Sequence, residues 1–274
     1  MTDFLSQYGA LILMLVAAGL FAGLVAGLFG IGGGAVIVPV LFFILDGMGF
    51  TETAMHVAVA TSLATIILTS ARSVAAHHGH GAVDWGIIRA WAPWIMIGAV
   101  CGIGLSGLMS KQMLLGIFGT LLFLLATQLA FGRPTWRLAE AMPKGAARAG
   151  LGTSVGTLSA IMGIGGGTFG VSLMALCNMP IHRAVATAAG WGIAIGVPGA
   201  IAAIFVGWGR EGLPPLSLGF VNLPAFGLIS IFTVLMAPVG AALAHKLPAD
   251  NLRKLFGLLL ALVAARMVWQ AIGA

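Results

Sequence analysis

Apolar residues run along this chain in long blocks, and polar residues fall between the blocks rather than alternating within them. Ten apolar segments are read, at about 9–29, 35–45, 54–75, 87–108, 113–131, 149–162, 168–179, 184–206, 223–244 and 252–272. A helix of about 20 apolar residues crosses a bilayer, and most of these segments reach or approach that length. The segments 35–45 and 168–179 do not, and each directly follows the sequence Gly-Ile-Gly-Gly-Gly. The longest polar stretch, 132–148, carries Arg133, Arg137, Lys144 and Arg148 and divides the pattern into five segments on either side.

The two sides repeat one another. Gly-Ile-Gly-Gly-Gly stands at 30–34 and again at 163–167, an offset of 133. The preceding segment carries small residues every fourth position, Gly19, Gly23 and Gly27 in the first copy and Gly152, Gly156 and Ala160 in the second. His-x-Ala-Val-Ala-Thr runs from His56 to Thr61 and from His182 to Thr187, an offset of 126. Gly81-Ala82-Val83-Asp84 matches Gly219-Phe220-Val221-Asn222, and Phe118-Gly119 matches Phe256-Gly257, both at an offset of 138. The expected organisation is an all-α polytopic membrane protein. A first membrane repeat spans 1–131, a basic cytoplasmic linker 132–148, and a second repeat 149–274. Five segments per repeat is an odd number, so the second repeat would be inverted relative to the first.

Composition agrees and removes alternatives. The chain of 274 residues is 60% hydrophobic and 7% charged, against roughly 25% charged in a soluble domain. That excludes a soluble enzyme, a disordered chain, a coiled coil and any large extramembrane domain. The net charge of +6 sits in short loops, where it sets orientation and does not indicate nucleic acid. With ten crossings and the N-terminus outside, Lys and Arg divide 10 to 3 in favour of the cytoplasm, against 8 to 5 at best if the two short segments are re-entrant and the N-terminus is inside, so ten crossings are favoured. The outer three are Lys111, Arg210 and Arg266. A half-helix over 35–45 covers only about 16 Å of a core roughly 30 Å thick, so the glycine-rich break would have to supply the rest as extended backbone. Met1-Thr2-Asp3-Phe4 lacks a basic n-region, so no cleaved signal peptide is expected. Cys101 and Cys177 lie in apolar segments and read as small core residues.

Candidate chemistry centres on the paired breaks. Short, glycine-interrupted segments at matching places in two halves point to a transporter's substrate site. A broken helix frees backbone N–H groups, and a half-helix N-terminus carries partial positive charge. Gly30, Gly32, Gly33 and Gly34, with Gly163, Gly165, Gly166 and Gly167, are therefore the first candidates for binding a small anion. Close helix crossing is the competing explanation for so many glycines. His56 and His182 head the helix after each short segment and could donate to an oxyanion or carry a proton. Thr61 and Thr187, five residues on, could face the same cavity or bond back to their helix. Arg72 stands in one half only and could draw an anion to the cytoplasmic mouth, or simply be an orienting charge. Trp191 falls in mid-segment and could wall a cavity or pack the core. His77-His78-Gly79-His80 has no cysteine or carboxylate cluster beside it except Asp84, and reads as a loop with no metal. No nucleophile–base pair is visible and the seven carboxylates are scattered, so no catalytic residue, enzyme activity or cofactor is expected.

Three stretches resemble the TauE/SafE sulfite exporter family: the repeated Gly-Ile-Gly-Gly-Gly before a short apolar run, the stretch from Ala76 to Trp85, and the closing stretch from Pro238 to Pro248. The resemblance covers about residues 9–267. It implies an exporter or permease of sulfite, sulfonates or related small anions, working without ATP hydrolysis; with the two repeats, the expectation is an inner-membrane secondary transporter working by alternating access. The implied partners are a small anion and the bilayer; a homodimer is compatible with the sequence. A carrier of another small anion or carboxylate on the same fold, and an anion channel, are the alternatives.

Overall fold

The computed structural model describes residues 2–29, 32–79, 81–131, 139–244 and 249–273. Among these, the ten apolar segments map one for one onto ten helices. They are α1 (Thr2–Phe29), α2 (Gly34–Gly47), α3 (Ala54–His78), α4 (Trp85–Ser106), α5 (Lys111–Phe131), α6 (Gly145–Ile161), α7 (Gly167–Leu176), α8 (Ile181–Val206), α9 (Leu223–Ala244) and α10 (Ala249–Ala271). Six are long and apolar enough to cross a membrane: α1 and α3 to α5 in the first half, α8 and α9 in the second. As the pattern predicts, α2 and α7 are short, with 14 and 10 residues. Large apolar side chains such as Leu13, Phe205, Ile231 and Leu262 are exposed on the outside of the bundle, the surface expected of a protein solvated by lipid.

Two details depart from the sequence reading. α3 continues through His77 and His78, which form its last turn rather than a loop. A two-stranded antiparallel hairpin, β1 (Ser217–Leu218) with β2 (Val221–Asn222), precedes α9 and pairs Ser217 with Asn222. Cys101 is exposed and Cys177 buried, and both are free thiols.

Helices from one half pack on helices from the other: α1 on α9, α4 on α6, α3 on α8 and α5 on α10. Glycine makes the first two pairs possible. A Cβ on Gly23 would lie 2.6 Å from Thr233 O, and one on Gly156 would overlap Ile95 O. On the partner helices, a Cβ on Gly240 would overlap Leu24 O, and one on Gly102 would stand 2.6 Å from Thr157 O. Backbone contact this close is what small residues permit in lipid, where packing and not water exclusion holds helices together.

The loops gather at two ends. At one, Thr53 donates to Gly212 O at 2.8 Å and Lys111 pairs with Asp46 at 2.7 Å. At the other, Arg183 pairs with Asp84 at 3.0 Å, Trp85 Nε1 donates to His78 Nδ1 at 3.2 Å, and Ala139 N donates to Leu176 O at 3.3 Å. α2 and α7 both begin in the interior; α2 runs to the first end and α7 to the second.

Candidate functional site

The second break starts where α6 is stopped. Gly163 N donates to Ala160 O at 3.0 Å and Ile164 N to Ser159 O at 2.9 Å, the paired bonds of a Schellman terminus. That motif needs a left-handed residue, and Gly163 has φ 62°. The chain then restarts as α7, with Gly166 at its N-cap and Gly170 N donating to Gly166 O at 2.8 Å. In the first break Gly30 lies outside the described residues. Gly32 and Gly33 have φ 72° and 79°, and Gly33 O accepts from Val36 N at 3.0 Å and Ile37 N at 3.1 Å to open α2.

The two breaks meet. A Cβ on Gly34 would overlap Gly163 O and stand 2.9 Å from Ile164 Cα. One on Gly32 would come 3.5 Å from Gly165 Cα. Ser62 Oγ on α3 donates to Gly163 O at 2.7 Å and fixes the junction to the central helix. Gly32 to Gly34 and Gly163 to Gly167 are all buried. Two helix N-termini therefore open into one interior place. Each presents unpaired amides and about half a unit of positive charge. The side chains that stand nearest the described glycines of the breaks, among them Ile66, Ala22, Val38, Trp191 and Ser62, carry no ionisable group.

The other candidates lie elsewhere or are already engaged. Thr61 Oγ1 accepts from Asn222 N at 3.0 Å, and Thr187 Oγ1 accepts from Asp84 N at 3.0 Å. Asn222 and Asp84 are the residues that cap α9 and α4, through Asn222 Oδ1 with Ala225 N and Asp84 Oδ1 with Ile87 N, both 3.1 Å. Both threonines thus hold the starts of neighbouring helices. His56 is half-buried at the first end, its Nε2 3.0 Å from Ser106 O and its ring stacked on Phe220 at 5.1 Å. His182 is exposed at the second end. Neither histidine is brought to the junction. Arg72 is exposed on α3, while its neighbours Thr69, Ser70 and Ser73 are buried.

Trp191 is fully buried and stacks on Trp91 at 5.2 Å. Cβ atoms on Gly166 and Gly170 would strike its Cβ and its Cε3 edge. The indole therefore lies along the first turn of α7. Two residues that the sequence reading passed over stand at the second break. Ser159 Oγ and Thr168 Oγ1 are buried and have no hydrogen-bond partner. Their sequence signal was a hydroxyl in an otherwise apolar segment, and only the fold shows that each is orphaned.

The family model described as "Sulfite exporter TauE/SafE" matches residues 15–267. The chain belongs to the TauE/SafE family. Among its relatives, a "Probable membrane transporter protein" of Haemophilus influenzae is 34% identical over 258 residues, covering 93% of this chain and 97% of the relative. One of Bacillus subtilis is 29% identical, covering 94% and 98%. One of Methanocaldococcus jannaschii is 25% identical, covering 96% and 97%. No solved structure matches. This TauE/SafE chain is thus a multi-pass membrane protein of a transport family, and its relatives match it nearly end to end.

Proposed function

We propose that this membrane transporter is a secondary carrier of a small oxyanion, sulfite or an organosulfonate, across the inner membrane. The observation that carries the reading is the buried meeting of two glycine breaks, each opening a helix N-terminus toward the other. Backbone N–H groups and helix dipoles bind anionic oxygens without a mobile counter-charge in the bilayer. The family's name supplies the sulfur oxyanion, and the apolar and hydroxyl side chains nearest the described glycines favour recognition by neutral donors.

The two halves act as inverted repeats, and rocking of one against the other alternates access. Support comes from the helix pairing: α1 packs on α9 as α6 packs on α4, through positions at the offsets the sequence repeats. Arg89, Lys144 and Arg183 stand at the second end, which would face the cytoplasm by the positive-inside rule.

The test is radiolabelled sulfite counterflow in proteoliposomes of purified protein, with taurine, sulfate, thiosulfate and acetate as competitors. Saturable exchange, blocked by sulfonates and not by acetate, is expected. Flux without saturation or counterflow would make the protein a channel. No exchange by folded, inserted protein would remove the sulfur oxyanion.

A further inference from the structure

We propose that the two breaks are unequal, and that the anion is seated at the second alone, on the first-turn amides of α7 and the hydroxyls of Ser159 and Thr168. The inference rests on the oxyanion reading above and assigns its donors.

Three observations carry it. First, Ser159 is 0% and Thr168 3% exposed, yet neither hydroxyl has a partner. A helical serine or threonine ordinarily bonds back to the carbonyl four residues earlier. Ser154 does so to Gly150 O at 2.9 Å, Ser172 to Thr168 O at 3.0 Å, and Thr65 to Thr61 O at 3.0 Å. A buried hydroxyl left unpaired is costly, so two on the segments that flank one break point to a missing acceptor there. Second, the two residues flank the second break along the chain, Ser159 in the last turn of α6 and Thr168 in the first turn of α7. Thr168 is its second residue, and helical side chains lean toward the N-terminus. Ser159 O itself receives Ile164 N at 2.9 Å, which sets that residue at the break. Third, no described group accepts from the N–H of Gly167, Thr168 or Phe169.

The first break shares the free amides of Gly34 and Ala35 but lacks the hydroxyls and the third amide. At the offset of 133, Ser159 and Thr168 correspond to Ala26 and Ala35. The amide matching Phe169 N is Val36 N, which is already spent on Gly33 O at 3.0 Å. A Cβ on Gly33 would meet Ala22 O at 2.9 Å, so ordinary backbone packing fills that side. Trp191 Nε1 is also unpartnered; it belongs to the neighbouring helix α8 and is not part of the proposed seat. The fitting ligand is a small oxyanion with at least three acceptor oxygens, one for the amides and one for each hydroxyl.

The experiment measures half-saturation for sulfite in counterflow, and the melting temperature in detergent with and without sulfite. Variants are Ser159→Ala, Thr168→Val and Thr168→Ser, with Ser230→Ala as a control at another unpartnered buried hydroxyl. Loss of a hydrogen bond to a charged group predicts a rise in half-saturation of about tenfold or more for Ser159→Ala and Thr168→Val. Their ligand-free melting temperature should hold or rise, because an unpaired polar group is removed. The sulfite-induced shift should shrink, Thr168→Ser should recover it, and Ser230→Ala should leave it alone. Wild-type exchange with unchanged half-saturation in both variants overturns this inference and leaves the oxyanion reading standing. No oxyanion exchange by the wild type overturns both. A fall of several degrees in the ligand-free melting temperature makes the hydroxyl structural and overturns its assignment.

Discussion

The same five residues, Gly-Ile-Gly-Gly-Gly, stand at 30–34 and 163–167, and they differ at the N-caps of the helices that follow. At the N-cap of α2, Gly33 is left-handed with φ 79° and ψ −8°. At the matching N-cap of α7, Gly166 has φ −57° and ψ −10°, a conformation any residue can adopt. What makes Gly166 a glycine is contact: a Cβ there would stand 2.6 Å from the Cβ of Trp191. At Gly33 both reasons apply, because the backbone is left-handed and Ala22 O is close. A glycine run thus licenses a helix break without fixing its shape. The neighbours differ as well: Ala22 and Ile66 stand against the first break, Trp191 and Ile195 against the second.

The largest effect is expected where that contrast is erased. Gly166→Leu should abolish sulfite counterflow, since the side chain has no space beside Trp191 and would fill the start of α7. Gly33→Leu should also abolish it, by strain as well as crowding, and should lose more thermal stability. A left-handed position with a branched side chain adds to overpacking of about 1–3 kcal/mol. Counterflow at wild-type rate by both variants in well-folded protein would sink the assignment of the breaks as the binding site.

A smaller effect should separate packing from chemistry. Gly23 and Gly156 occupy matched places on α1 and α6, each against the backbone of the partner helix. Gly23→Val and Gly156→Val should therefore lower the melting temperature by similar amounts, through overpacking of about 1–3 kcal/mol. Half-saturation for sulfite should stay within a few-fold in the protein that remains folded. A large loss from one and none from the other would break the equivalence of the halves.

Much of this was legible in the sequence, and the limits have physical causes. Ten apolar blocks became ten helices because a block of that length has one way to satisfy its backbone in lipid. The 133 and 126 offsets located the breaks and the cap-holding threonines. Whether Gly33 or Gly166 is left-handed was not legible, since glycine accepts either hand. The hairpin at Ser217–Leu218 and Val221–Asn222 has two residues per strand, too few to leave an alternating pattern. The matched His56 and His182 looked alike in sequence. Only the fold shows one half-buried against Phe220 and the other exposed. Burial without a partner, a property Ser159 and Thr168 share with Ser230 and Trp191, belongs to the tertiary structure alone.

The smallest effect concerns the threonines and turns on the same contrast between halves. Thr61→Val leaves Asn222 N without its acceptor in a buried position, and a buried unpaired amide costs about 1–3 kcal/mol. Thr187→Val leaves Asp84 N in a part-buried place, where water can replace the hydroxyl, so the loss should be below about 1 kcal/mol. Thr61→Val should then melt several degrees lower than Thr187→Val, with half-saturation for sulfite unchanged in both. The opposite outcome, weaker half-saturation with unchanged melting, would return the two hydroxyls to the substrate. It would also mean that the junction opens far enough in the transport cycle to release Asn222 N and Asp84 N from their threonines. The caps of α9 and α4 would then be moving parts, and the repeat at His56–Thr61 and His182–Thr187 would be a duplicated latch rather than a duplicated brace.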